Sequence, residues 1–243
     1  MKFTIITLFP CLIKTSISES IVKRAIDKKL VEIEVLNLRD FSTLNNQQID
    51  DYQYGGGSGM VLMVEPIVRA IESCRQDKSI VVLMSPQGKT LKQDISKNFS
   101  TSYEHIIIIC GHYEGFDQRV MDYIDLELSI GDYVLTGGEL PALILVDSVV
   151  RLLKGVINEE SHKNDSFEDN LLDYPVYTKP YNFRDKKVPD ILLSGHHGNV
   201  EKYRKQEKLK NTYLKRPDLI NYDSLTIDDI KYLKELKSLK GEE

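Results

Sequence analysis

The sequence predicts an α/β protein with a mainly parallel sheet, followed by a small α-helical C-terminal domain. Three observations predict it. Short apolar, β-branched runs recur between amphipathic stretches. The third and fourth runs carry almost no polar residue, as strands covered on both faces do. Beyond residue 154 the chain turns polar before closing with two helical patterns.

Strands are predicted over "KFTIIT" (2–7), "VEIEVLNL" (31–38), "SIVVLM" (79–84) and "HIIIIC" (105–110). Helical stretches are predicted near 16–29, 65–76, 90–99 and 116–123. Parallel neighbours need crossover connections, so this alternation implies a mainly parallel sheet. The loops leaving the strands then gather at one edge, where ligands of such sheets bind. Those loops are "LFP" (8–10), "SPQGKT" (85–90), "GHYEGFD" (111–117) and "GDYVLTGGELP" (131–141). From Lys154 to Asp190 the chain holds Pro175, Pro180, Pro189 and the acidic run "NDSFED" (164–169), which reads as a linker. Helical patterns over 199–214 and 226–239 follow. The domains are therefore drawn as 1–160, a linker over 161–190, and 191–243.

Composition narrows the class. With 243 residues, 41% hydrophobic and 28% charged, the chain has the makeup of an ordinary globular protein. Three scattered cysteines, Cys11, Cys74 and Cys110, suit neither a disulfide framework nor a zinc site and fit a reducing cytoplasm. The start "MKFTIITLFPCLI" loosely mimics a secretion signal, but Pro10 stands where a cleavage site wants small residues, and a buried first strand explains it better. No apolar stretch approaches the ~20 residues of a membrane span. Net charge is -5, yet "NVEKYRKQEKLKNTYLKR" (199–216) carries a local +5. A basic, aromatic-bearing helix on an acidic chain is a footprint for a polyanion; a solvated helix face has the same composition.

The loops set the chemistry. "YGGGSGM" (54–60) lacks the Lys-Ser/Thr of a phosphate-binding loop and follows no strand, so alone it reads as a flexible loop. The other loops supply small residues, main-chain groups and the carboxylates Glu114, Asp117, Asp132 and Glu139, with almost no cation. Such a set suits a neutral aromatic ring and a positively charged small molecule. A nucleoside bearing positive charge is expected, with S-adenosylmethionine the obvious candidate.

Eight motifs then occur in order: "LFP", "DDYQYGGGSGM" (50–60), "MSPQGK" (84–89), "CGHYEGFDQRV" (110–120), "SIGDYVLTGGELPA" (129–142), "DSVVR" (147–151), "DSFEDNLLDYPVYTKP" (165–180) and "VPDILLSGHHGNV" (188–200). Together, over nearly the whole chain, they closely resemble the bacterial tRNA (guanosine(37)-N1)-methyltransferases. The resemblance implies a deep trefoil knot in the C-terminal part of the α/β domain, which composition does not show. It implies S-adenosylmethionine as cofactor, dependence on Mg²⁺ at a site the sequence does not place, a homodimer, no membrane, and tRNA with G at position 37 as substrate. Main-chain groups of Gly111, Ile130, Gly131, Asp132, Tyr133, Val134 and Leu135 are then expected around the cofactor. Ser85, Pro86, Tyr113, Glu114, Gly115, Gly138 and Pro141 complete the pocket.

The same resemblance makes Asp165 the base that takes the N1 proton and Arg151 the cation facing O6. Without it, Asp165 reads as solvated and Arg151 as a helix-end charge favouring the dipole. Asp50 and Gly59 are expected around the target base, and Lys202, Arg204 and Lys205 along the tRNA backbone. Three positions depart from the family pattern: His112 for a common Arg, Asn170 for a common Gly, and Ser58 for Pro. Another knotted RNA methyltransferase, a non-catalytic RNA-binding module and a nucleotide-dependent oxidoreductase are the competing readings. The last is disfavoured because an acidic ribose ligand at the end of a second strand is missing.

Overall fold

The computed structural model describes residues 1–158 and 165–240; the boundary expected at residue 160 and the first residues of the 161–190 linker lie outside them. The chain divides into two compact units, Met1–Asn158 and Glu159–Glu243.

In the first unit, strand β1 (Lys2–Thr7) leads to helices α1 (Pro10–Ser16) and α2 (Ser20–Asp27). The helix expected over 16–29 is α2, shorter at both ends, and α1 before it was not expected. Pro10 starts α1, where its missing N–H costs nothing. Then follow β2 (Glu32–Asn37), the short pair β3 (Asp50–Asp51) and β4 (Val61–Leu62), and α3 (Val64–Cys74). Strand β5 (Ser79–Thr90), α4 (Gln93–Ser102), β6 (His105–Cys110), β7 (Leu126–Ser129) and α5 (Glu139–Val150) complete the unit. The helix expected over 116–123 is a 3₁₀ turn, Gln118–Tyr123.

Five strands form one sheet in the order β2-β1-β6-β5-β7, every pairing parallel. Strand β6 has a partner on each side and both faces covered, which is why "HIIIIC" contains no polar alternation. Ile106, Ile108 and Cys110 point into the layer with α5, while Ile107 and Ile109 point into the layer with α3. Each fully buried isoleucine contributes roughly 1.5–3 kcal/mol. Strand β5 continues past its predicted end: after an irregularity between Met84 and Lys89 it pairs again with β7 at Leu128 and Ser129.

The second unit is small. A two-residue hairpin joins β8 (Asn182–Phe183) to β9 (Lys186–Lys187), with Arg184 and Asp185 both at positive φ. Helices α6 (His197–Lys215) and α7 (Ile227–Lys240) pack around Leu209, Ile220 and Leu233.

One buried titratable group faces the sheet. His105 lies between Thr4 Oγ1 and Ser79 Oγ, 2.9 Å from each. Burial, helped by the Lys2 charge and opposed by Glu34 and Glu32, holds its imidazole below the ordinary range. The neutral ring therefore favours the fold above about pH 6.5, and that contribution is lost as pH falls through the lowered value. Denaturant unfolding should show stability declining on acidification below that pH, with a shallower decline in His105→Gln. Equal slopes in both proteins would remove His105 from the account.

Candidate functional site

The irregular stretch of β5 after Met84, the loop after β6 and the loop after β7, with the first turn of α5, enclose a cavity of about 270 Å³. It sits at the carboxyl ends of parallel strands, where open sheets bind ligands. Ser85 and Pro86 line it from the first of these segments, and Gly111, Tyr113, Glu114 and Gly115 from the second. Ile130, Gly131, Tyr133, Val134 and Leu135 line it from the third, with Gly138 and Pro141 at the helix start. Asp132, expected among them, is exposed and is not part of the lining. Sequence reasoning missed Met84, Gln87, His112, Phe116, Leu128, Ser129, Thr136 and Gly137 as wall residues, although each is next to or inside a motif already marked.

A backbone-to-backbone contact closes the cavity. The Gly138 N–H donates to the Gly111 carbonyl at 2.8 Å. A Cβ on Gly138 would lie 2.7 Å from Cys110 Cα and 2.8 Å from Gly111 N, neither of which can swing away. Only glycine allows this approach. Nearby, Tyr113 adopts φ +59°, an unusual conformation for a side chain of its size and one that collects at functional sites.

The charges are sparse and one-signed. Among the described residues no Lys or Arg lines the cavity, and Glu114 is its carboxylate. The other three expected carboxylates are outside the lining. Asp117 binds Arg119 through both its oxygens, at 2.8 and 2.6 Å, and that hydrogen bonding brings its carboxyl down to about 2. Glu139 is buried in the first turn of α5, where the helix dipole favours a carboxylate, and accepts from Thr7 Oγ1 at 2.8 Å. Burial, with the Glu139 charge, pushes the Cys110 thiol well above its ordinary value, so it stays an inert thiol beneath the cavity-lining Gly111. The His112 ring packs between Phe9 and Tyr113, and its buried Nδ1 has no partner among the described residues.

The glycine-rich stretch 54–60 reaches this site at its downstream end. Glu114 N donates to Met60 O at 3.1 Å, and Leu62 N to Gly115 O at 2.9 Å. A Cβ on Gly59 would fall 2.5 Å from Glu114 Cγ, so Gly59 packs directly on the cavity's carboxylate. Asp50 lies in β3 opposite Leu62. Arg151 caps the C-terminus of α5, its N–H donating to Asp147 O at 3.2 Å.

In the second unit Asp165 begins a turn-rich loop that packs on α6. Asn170 takes φ +60°, the left-handed conformation that Gly adopts freely and Asn tolerates. The basic helix is less uniform than its charge suggested. Lys202 is exposed, Arg204 stacks over Tyr174 at 5.0 Å, and Lys205 bonds Asp229 at 2.6 Å. The exposed hairpin residues Phe183 and Arg184, with Lys186 and Lys187, add a second basic, aromatic surface that sequence reasoning passed over.

Comparison with known proteins gives a uniform result. The model of the tRNA (guanine-1)-methyltransferase TrmD family matches residues 1–222. A tRNA (guanine-N(1)-)-methyltransferase of Mycoplasma capricolum is 63% identical over 237 residues, which cover 98% of this chain and 99% of the relative. One of Dictyoglomus turgidum is 49% identical over 244 residues, 100% and 99%. One of Staphylococcus haemolyticus is 48% identical over 240 residues, 98% of each chain.

Gly138→Ala should cost about 1–3 kcal/mol, the scale of overpacking against atoms that cannot yield, and should narrow the cavity. Gly198→Ala, where nothing lies within 4 Å of the added Cβ, serves as control and should be neutral or stabilising. Chemical denaturation of the two variants checks this; equal effects would refute the close-approach argument.

Proposed function

This chain belongs to the tRNA (guanine-1)-methyltransferase family, and from that premise we propose that it methylates N1 of the guanosine at position 37 of tRNA with S-adenosylmethionine as donor. It is a tRNA (guanine-N1)-methyltransferase. The observation that carries the finer reading is the cavity. Its wall holds five glycines, Gly111, Gly115, Gly131, Gly137 and Gly138, no cation, and one carboxylate at Glu114. Glycines present main-chain donors and acceptors to an adenine ring, and Glu114 suits a cationic ligand. When bound, the cofactor supplies an electrophilic methyl group on a sulfonium.

The protein's own part begins at guanine. N1 carries a proton at neutral pH and has no free lone pair until that proton leaves. We assign its removal to the Asp165 carboxylate. Negative charge then grows on O6, and Arg151 is the cation assigned to stabilise it. Asp50 and Gly59 are assigned to the target base. Taking that base out of its stack costs a few kcal/mol, which contacts to the tRNA backbone offset. For those contacts we keep Lys202 and Arg204; Lys205 is engaged with Asp229.

Two further parts of the reading have support of their own. For the knot, the chain leaves β7 at the sheet edge, yet Gly138 meets the end of β6, two strands inward. For the homodimer, α1 and α5 pack together and leave Leu12, Leu140 and Ile144 exposed. No helix of the described residues is long and apolar enough to cross a membrane; we place the activity with tRNA in the cytoplasm. The Mg²⁺ dependence has no protein cage to account for it: among the described residues no group of three or more His, Cys, Asp or Glu could hold a metal ion. Mg²⁺ held chiefly by water and phosphate needs none.

Incubation with labelled S-adenosylmethionine and unmodified tRNA transcripts tests the assignment. Label should enter tRNA with G at position 37 and not its A37 counterpart; equal labelling would reject the position. Asp165→Ala should bind cofactor normally and lose on the order of 10²-fold or more in single-turnover rate. A near-normal rate would reject the base.

The basic helix is tested by salt. Lys202→Ala with Arg204→Ala should weaken tRNA binding and flatten the log K versus log salt slope, by about 0.7–0.9 for each phosphate no longer neutralised. An unchanged slope would make the helix face merely solvated.

A further inference from the structure

Lys208 is an unusual side chain for so small a unit. It is 6% exposed, and its Nζ donates to Asp169 Oδ2 at 2.7 Å. Burying an ammonium is costly, and apolar replacements of buried ion pairs are often neutral or stabilising. Stability alone therefore does not explain it.

The cation fastens a loop. Asp169 lies between Asp165 and Asp173, and the whole stretch is tied to α6 at successive points. Thr212 Oγ1 accepts from Leu172 N at 2.9 Å and donates to Lys208 O at 2.7 Å. Asn211 Nδ2 donates to Asp173 O at 2.8 Å. Leu171 packs against the cluster of Leu209, Ile220 and Leu233. The loop is also closed on itself: Phe167 N donates to Leu171 O at 2.8 Å, and Asp173 N to Ser166 Oγ at 3.0 Å. Phe167 and Asn170 supply the two left-handed residues that the turns require. Asp165 therefore starts a closed loop held at three places by one helix. The Asp173 carboxyl is raised by burial and by the nearby charge of Asp165, and lowered by Lys208, so Asp173 as well as Asp169 lies near that ammonium.

We propose that Lys208, Asn211 and Thr212 are positioning residues, which hold the loop Asp165–Asp173 on α6 and so set Asp165 for proton removal. The proposal rests on the reading of Asp165 as the base. None of the three side chains need touch the substrate; they act through the loop. Preset geometry lowers the barrier because a displacement of about 1 Å at a catalytic group costs up to 10²-fold in rate.

Single-turnover methylation at saturating tRNA and cofactor, run on the full chain, tests it. Lys208→Met keeps the apolar stem and removes the charge. It should lower the maximal rate about 10-fold while leaving KM for tRNA and cofactor nearly unchanged. Asp169→Asn should do the same, and the double variant should lose no more than either single one, because both act through one ion pair. Thr212→Val should speed hydrogen exchange at the Leu172 amide and lower the rate in step. If Lys208→Met does not fold, Asp169→Asn decides, because its side chain is half exposed and tolerates the change. A wild-type rate in Asp169→Asn, or a raised KM with an unchanged maximal rate, overturns the proposal. Asp165→Ala is run beside them: if it turns over normally, the base reading and this proposal fall together. If it is slow while the α6 variants are not, only the positioning role falls.

Discussion

The contact between Gly138 and Gly111 is the constraint on which the first unit's cavity depends. One 2.8 Å hydrogen bond and the absence of two side chains let the start of α5 touch the end of β6. From that point α5 runs back over the sheet and buries Ala142, Leu145, Val146, Val149 and Val150. The same point fixes one wall of the cavity and sets Pro141 in its lining. The apolar mass of the helix secures the contact, and the contact shapes the site.

Charge is divided between the units. The cavity in the first has one carboxylate and no cation, while the second exposes Lys202, Arg204, Lys186 and Lys187. A cationic small molecule and a polyanion pull in opposite directions electrostatically, and a single surface serves both poorly. Placing the two demands on separate stretches of chain resolves this.

Much of the frame was legible in the sequence, because burial writes itself into composition. "HIIIIC" and "SIVVLM" could be nothing but covered strands, and the turn-rich loops marked the cavity before its geometry was known. What failed to show has physical reasons. Strand β7, "LELS", is four residues at a sheet edge and carries Glu127, too short and polar to register. Helix α1 is seven residues with Ile13 as its buried residue, too short for a helical period to register. Asp132 belongs to the right motif but points to solvent. Charge counting read the 199–216 helix as one basic face; the partners of Lys205 and Lys208 lie 24 and 39 residues away, where no local pattern reveals them. The roles of Asp165 and Arg151 came from resemblance alone, since a carboxylate in an acidic stretch and an arginine at a helix end have ordinary explanations.

The five glycines in the cavity wall bear on drug resistance. A ligand held by main-chain groups is held by atoms that no point substitution deletes. Every alternative side chain at Gly138 strikes backbone, so a variant that repels an inhibitor there also distorts the cavity itself. Escape is therefore steered towards Tyr133, Val134 and Leu135, whose exposed side chains vary without disturbing the strands beneath. Compounds that ignore those three side chains leave the fewest routes around them.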